Sequence, residues 1–470
     1  MVLNLLFSQK AMLGNIPVQG EIPPMKRMLS HTFEIAWPAI VEQFLVSLVS
    51  FIDTIMVSGL GAYAIAAIGL CGQPKFIMLV PFFSLNVALS AVVARRIGQQ
   101  DRDGANRTLQ FALKFAVVAV AIITFLGIFF ADPLLHLAGS QSDTHDYAVA
   151  YYKIIIGGMA FNVFSLVINA AQRGAGNTKI AMRTNLTSNA VNLVLNYLLI
   201  EGHFGFPALG VRGDAIATVL GTVVAFFMSL ASILKPEGLL YLFYHKEGKK
   251  VEKIDKFTLQ SMWKVGSASL VEQACLRVGF MVYAIIVAKL GTVAFAAHQI
   301  GMNVISLSFS LGNGLSIAAV ALVGHSLGES RPDLARMYGR ICQRFGLICS
   351  ITLALFFTTL GRDIYKCFSS DETILNYGTT IMRIIAVIVI LQIAQVIFSG
   401  CLRGAGDTRA VAVVSFISVT VIRPLSGWLF VYPLGLGLTG AWLGLLLDQS
   451  MRFLLTLLRF KSGKWLSIKL

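Results

Sequence analysis

Twelve long apolar runs dominate the 470-residue chain, near 33–58, 63–94, 105–131, 147–171, 178–200, 211–234, 263–288, 293–323, 335–360, 374–402, 408–431 and 436–459. A helix needs roughly 20 predominantly apolar residues to cross a bilayer, where only its own hydrogen-bond ladder satisfies the backbone. The runs are apolar on all sides and too long for a buried soluble bundle. The expected fold class is therefore an all-α membrane protein with twelve transmembrane helices. Charged residues make up 13% of the chain, about half the share of a soluble domain, so most of the surface faces something apolar. No polar stretch is long enough to house a separate soluble domain.

The formal net charge of +15 suggests nucleic acid at first sight. The basic residues, however, are scattered over short segments between apolar runs and form no face that could track phosphates, so no nucleic-acid partner is expected. The lipid bilayer explains them better, because Lys and Arg concentrate in cytoplasmic loops. With the N-terminus inside, the cytoplasmic segments carry Arg95, Arg96, Arg173, Lys179, Lys246, Lys249, Lys250, Arg331, Arg336, Arg403 and Lys461, among others. The opposite side holds chiefly Arg212, Lys289, Arg362 and Lys366. Both termini are thus expected in the cytoplasm and the chain in the cytoplasmic (plasma) membrane. The six cysteines form no CxxC pair and suggest neither a disulfide framework nor a zinc site. The first 25 residues make a poor signal peptide, lacking a basic start and a small-residue cleavage site.

The chain also repeats itself at an offset of 230 residues. Val41-Glu42-Gln43 recurs as Val271-Glu272-Gln273, and Arg173-Gly-Ala-Gly-Asn-Thr178 as Arg403-Gly-Ala-Gly-Asp-Thr408. Late in each half the register slips by three, so Leu209-Gly210 and Gly213 match Leu436-Gly437 and Gly440. Each half holds six spans, so both enter the membrane from the same side, and two six-helix bundles related by a pseudo-two-fold axis along the membrane normal are expected. The organisation reads as a cytoplasmic tail (1–30), an N-lobe (31–234), a cytoplasmic linker (235–262), a C-lobe (263–460) and a second tail (461–470). Asp255–Lys264 alternates apolar and polar residues at roughly helical spacing, as an interfacial helix would; a bare linker between bundles is the competing reading.

Several motifs carry a resemblance. Phe51-Ile-Asp-Thr-Ile-Met56, Ala296-Ala-His-Gln-Ile300, Val323-Gly-His-Ser-Leu-Gly328 and the paired RGAGNT and RGAGDT loops together resemble MATE (multidrug and toxic compound extrusion) transporters, over about residues 30–460. The resemblance implies a secondary antiporter that exports organic small molecules, working by alternating access and driven by a proton gradient, with sodium as the alternative ion. No cofactor beyond the coupling ion is implied, and the chain is expected to act as a monomer. A lipid-linked glycan flippase of the same superfamily shape is the nearest alternative. A membrane-embedded enzyme is the rival of another class, but no Asp-rich metal motif, HExxH or ATPase signature is present.

Ionisable residues inside a membrane are costly, and they persist where they face a cavity, pair, or act. Six cannot be moved to an interface: Glu42, Asp53, Lys75, Glu272, Arg277 and Arg423. Glu42 repeats at Glu272, so a shared structural prop is one reading and direct function the other. Asp53 is different, because the repeat breaks there: its counterpart is Tyr283. Likewise Asn192 and Asn196, one helical turn apart on one face, face Ile422 and Ser426. A plain requirement of the fold would apply to both halves. Asp53 is therefore expected to carry the coupling proton, with Asn192 and Asn196 hydrogen-bonding around it.

The resemblance agrees in part. The aspartate of that first-helix motif is implicated in proton coupling in the family. One branch carries N-x-x-x-D on the fifth helix, where this chain has Asn196. Another places its ion in the C-lobe, on a seventh-helix glutamate matching Glu272 and a tenth-helix aspartate whose position is Gln392 here. Glu272 is retained as a candidate ion-coupling residue. Glu42, Lys75, Arg277 and Gln392 are candidates for the substrate cavity. The cations Lys75, Arg277 and Arg423 either pair with Asp53, Glu272 or Glu42, or make the cavity receptive to anionic or zwitterionic compounds. His298 is expected to make a hydrogen bond at the outer end of the eighth helix.

Overall fold

The computed structural model describes residues 12–13, 17–58, 60, 62–138, 140, 144–243, 256–368 and 371–468. Helices occupy all twelve apolar runs, and no strand occurs among the described residues. In chain order they are α1 (Met25–Ser58), α2 (Ala62–Gly98), α3 (Arg102–Phe129), α4 (His145–Gly157 and Met159–Gly174), α5 (Thr178–Leu199), α6 (Val211–Ile233), α7 (Lys256–Ala288), α8 (Thr292–Gly328), α9 (Pro332–Lys366), α10 (Glu372–Gly404), α11 (Thr408–Val431) and α12 (Gly437–Lys461). Ten are long and apolar enough to span a membrane as single helices, and α4 becomes an eleventh span bent by 47° at Gly158. Only α5 falls short in hydropathy, because Asn185, Asn189, Asn192 and Asn196 lie along its 22 residues.

The chain divides into two compact units, an N unit of Phe44–Met262 and a C unit of Met1–Gln43 with Trp263–Leu470. The first part of α1 therefore packs with the C unit rather than with the helices that follow it in sequence. In the N unit, α6 lies against α5 and α4, while α2 packs on α4 and α3. In the C unit, α10 is central, contacting α8, α9 and α12.

Side-chain sizes are sorted as in a lipid-facing bundle. The inward face of α3 is mostly small (Ala105, Ala112, Ala116 and Gly127, with Leu109 and Val120 between them), whereas Phe115, Val118, Ile122, Phe125 and Phe129 stay exposed. With hydrocarbon outside, burying large apolar groups gains little, and close backbone approach by small residues holds the helices together.

The sequence repeat is visible as repeated geometry within each unit. A methyl group on Gly174 would stand 2.5 Å from the Ser90 carbonyl oxygen, and one on Gly404 would stand 2.6 Å from that of Val320. Both the glycines and their partners are 230 positions apart. The turns after α4 and α10 match as well: Gly176 and Gly406 have φ of 85° and 82°, the left-handed region open to glycine. The turns after α2 and α8 place Gln100 and Ser330 at φ of 58° and 57°.

Residues 256–264 are continuous with α7 and make no separate interfacial helix; no proline or glycine interrupts the stretch to stop the ladder. Residues 244–255, which include Lys246, Lys249, Lys250 and Lys253, lie outside the described residues. In addition, α11 widens into a π-helical segment at Phe416–Ile422. Pro424 follows one residue later and cannot donate a backbone hydrogen bond, which loosens the turn before it. Gly279 of α7 sits against that segment, where any side chain would run into the Val419 carbonyl.

Candidate ion-coupling site

The polar centre of the N unit is built from five helices. Asp53 of α1 accepts a hydrogen bond from the side-chain amide of Asn196 on α5. Asp214, on the first turn of α6, neighbours Asp53, and neither of its buried carboxylate oxygens has a hydrogen-bond partner among the described residues. Asp214 is 1% exposed. Two ionised carboxylates offer only acceptors to one another, so a contact of this kind is satisfied when one proton is shared between them. Asn196 and Tyr151 of α4 stand beside Asp214 without donating well-formed hydrogen bonds to its oxygens. Lys75 of α2 is the cation that acts on both carboxylates. Asn192, one turn from Asn196, donates to Thr218 Oγ1 at 3.2 Å.

Asp53, Asn192, Asn196 and Lys75 thus converge on one region of the N unit, as the broken repeat implied for the first three. Asp214 was not among the expected residues, although the same reasoning finds it. In the late register, offset by 227, its counterpart is Ala441. The C unit brings the equivalent positions together too: the Tyr283 hydroxyl donates to the Ala441 carbonyl at 2.8 Å. The fold therefore juxtaposes these two positions in each half, and only the N unit fills both with carboxylates. A small cavity of about 20 Å³ is lined by Lys75, Asn162, Thr218 and Thr222 among others.

Glu272 has a different environment. It is buried, its Oε1 takes a 2.5 Å contact from Arg403 Nη2, and Ser415 donates to it at 3.5 Å. Gln392 of α10 is buried, and its Oε1 meets no hydrogen-bond donor among the described residues. Glu42 is buried in the C unit, and Arg277 is half-buried there; both have interacting partners. Arg423 does not pair with Asp53, Glu272 or Glu42. It binds Asp448 of α12 instead, Nη2 at 2.6 Å and Nε at 3.0 Å from the same oxygen, with the Phe280 ring 4.7 Å from its guanidinium carbon. Arg452, one turn beyond Asp448, approaches the other carboxylate oxygen at 3.7 Å. His298 lies among Tyr283, Phe295 and Trp442, and its Nδ1 meets no hydrogen-bond partner among the described residues, so ring packing stands where the helix-end bond was expected.

The MatE family model matches the chain twice, at 38–198 and 268–429, so its two copies begin 230 residues apart. A probable multidrug resistance protein NorM from Thermotoga maritima is 29% identical over 463 residues, covering 97% of this chain and 96% of the relative. The multidrug resistance protein MdtK of Pectobacterium atrosepticum is 27% identical over 436 residues, covering 91% and 94%. Among solved structures, an outward-facing multidrug resistance MATE family transporter superposes with a TM-score of 0.85 at 21% identity, covering 93% of this chain and 97% of that one; it shows the fold. Two matched repeats in a polytopic helical chain, and relatives aligned over nearly their whole length, make one assignment: the chain belongs to the MatE family of multidrug efflux transporters and is a membrane transporter, not an enzyme.

Proposed function

We propose that this transporter exports organic small molecules by proton-driven antiport, with the Asp53–Asp214 pair as the proton site. The observation that carries this reading is the pair itself: two neighbouring carboxyls, Asp53 bonded by Asn196 and Asp214 buried with no hydrogen-bond partner among the described residues, placed only in the N unit at positions that both halves bring together. Binding a proton there and binding a cationic substrate nearby oppose one another electrostatically, which is the competition an antiporter requires. Alternating access then needs only that the protonated and deprotonated pair favour different conformations. Sodium is less well supported. The glutamate matching the family's C-lobe ion site is held by Arg403, and the accompanying aspartate position is Gln392. We place both termini in the cytoplasm, on the loop-charge asymmetry, and a single chain as the working unit.

The test is transport by purified protein in liposomes, with proton and sodium gradients imposed separately and ethidium as the reporter cation. Proton-driven ethidium movement without added sodium is expected. Movement driven by sodium alone would overturn the proposal. Topology is read separately from cysteines introduced at 246–253, which a membrane-impermeant thiol reagent should label only from the cytoplasmic side.

A further inference from the structure

Three arginines stand one helical turn apart near the start of α9: Arg336, Arg340 and Arg344. Residues at this spacing share one face of a helix. Continued along α9, the same face carries Ile348, Ile351 and Leu355, all exposed, as on a lipid-facing surface. The three arginines are half-buried. Arg336 Nε is buried and meets no hydrogen-bond partner among the described residues. Among the same residues no ion pair joins Arg336 or Arg344 to a carboxylate, whereas Arg331 just before them is held by Asp333 and by the Glu21 carbonyl. Arg340 donates to the Met12 carbonyl at 3.2 Å. The repeat supplies a comparison, because the counterparts 230 positions earlier are Asn106, Gln110 and Lys114. There the two amides hold the chain's own backbone: Asn106 Oδ1 accepts from the Tyr241 amide at 2.7 Å, and Gln110 Nε2 donates to the Leu242 carbonyl at 2.6 Å. Neutral side chains are enough for that task. Three guanidiniums in a row exceed it, since like charges one turn apart destabilise a helix.

We propose that this arginine row binds the phosphate headgroup of an anionic phospholipid, with the acyl chains lying on Ile348, Ile351 and Leu355. A guanidinium presents forked donors that match phosphate oxygens, and it sheds water more readily than an ammonium does. Depth along the helix agrees. With 35 residues, α9 is about 52 Å long, against a hydrocarbon core of about 30 Å. Arg336 therefore lies at headgroup depth, and the long side chain of Arg344, two turns further in, reaches back toward it. Basic residues at that depth, next to an apolar face, supply both halves of what a phospholipid needs. A zwitterionic headgroup would leave the charge of the row uncompensated, which is why the lipid must carry a net negative charge. The row sits at the end of α9 that the loop-charge asymmetry places in the cytoplasm, so the lipid belongs to the inner leaflet.

The experiment reads lipid binding at this site and needs neither substrate nor gradient. Full-length protein in a nonionic detergent is mixed with phosphatidylglycerol carrying a diazirine in one acyl chain, photolysed, digested and analysed by mass spectrometry. Labelling is expected on α9 between Ile348 and Leu355, and unlabelled phosphatidylglycerol should suppress it at lower concentration than phosphatidylcholine does. R336Q/R344Q leaves Arg340 and its bond to the Met12 carbonyl in place. At about fivefold per arginine, that variant should need roughly thirtyfold more probe for the same α9 labelling. R336K/R344K keeps the charge and should recover most of the loss. Unchanged labelling in a folded R336Q/R344Q, or equal suppression by the two lipids, would overturn the proposal. A large excess of inorganic phosphate should leave labelling intact; if it displaced the probe, the row would be a site for soluble phosphate and not for lipid. Should R336Q/R344Q fail to fold, R336Q alone decides, with a loss of about fivefold expected and no loss counting against the site.

Discussion

Replacing Asp448 with asparagine keeps the shape of the side chain and removes its charge, which isolates the electrostatics of the C unit. Asp448 is fully buried, and Arg423 and Arg452 are 3% and 11% exposed at their side chains. The substitution leaves two guanidinium groups facing each other in a medium that screens little. Breaking a buried ion pair by removing one partner costs about 3–5 kcal/mol in soluble proteins. Two effects reduce that figure. The Phe280 face, 4.7 Å from the Arg423 guanidinium carbon, retains about 0.5–2 kcal/mol of attraction. The denatured state in a micelle also finds new polar partners, which is why hydrogen-bond deletions in membrane proteins measure smaller than expected. Repulsion between Arg423 and Arg452 works the other way. The expected net cost is about 2–3 kcal/mol, or roughly two decades in the unfolding equilibrium. The assay is equilibrium unfolding in mixed micelles, read from tryptophan fluorescence. Adding Arg423→Met and Arg452→Met to Asp448→Asn removes the stranded charges and should recover most of the loss, because a buried ionic cluster is replaceable by apolar groups of similar volume. An Asp448→Asn variant within about 0.5 kcal/mol of wild type, or a triple variant less stable than the single one, would refute the reasoning.

The repeat makes a paired prediction: Gly174→Ala and Gly404→Ala each force a methyl group against a backbone carbonyl, at 2.5 and 2.6 Å, and should each cost about 1–3 kcal/mol by overpacking. Unequal effects in the same unfolding assay would show that the two close approaches are not equivalent. Glu272→Gln should lower stability by about 1–3 kcal/mol, because Arg403 loses its charged acceptor, yet proton-driven ethidium transport should persist; loss of transport in a stable Glu272→Gln protein would bring the C unit into the coupling mechanism. Gly279→Leu should disrupt folding or the π-helical segment it abuts, seen as loss of monodisperse protein on size-exclusion chromatography.

What the sequence revealed, and what it hid, divides along physical lines. Twelve spans were legible because bilayer thickness imposes a run length that little else imitates. The run at 178–200, counted with the others, is α5, which falls short in hydropathy because four asparagines lie along it. Asp53 stood out because Tyr283 occupies the same position in the other half. Asp214 was passed over because it lies three residues into α6, just after Arg212, where a charge reads as the end of a loop. Comparison with Ala441 in the shifted register supplies the missing signal. Asp448, at the middle of α12 beside Gln449-Ser450 and one turn before Arg452, was passed over too, so the partners considered for Arg423 did not include it. The π-helical turn had a weak signal in Arg423-Pro424, but its extent depends on how α7 packs against it at Gly279, and no single-helix pattern encodes that contact.

Whether two carboxyls of the N unit hold the coupling proton together is decided by Asp214→Asn. Asparagine preserves the volume and the hydrogen-bonding reach toward Asp53 while removing the second titratable group. In liposomes carrying an imposed pH gradient, Asp214→Asn is predicted to abolish gradient-driven ethidium transport as completely as Asp53→Asn does, with ethidium binding to the purified variants still measurable. Full proton-driven transport by a folded Asp214→Asn protein would contradict the account and leave Asp53 to act alone.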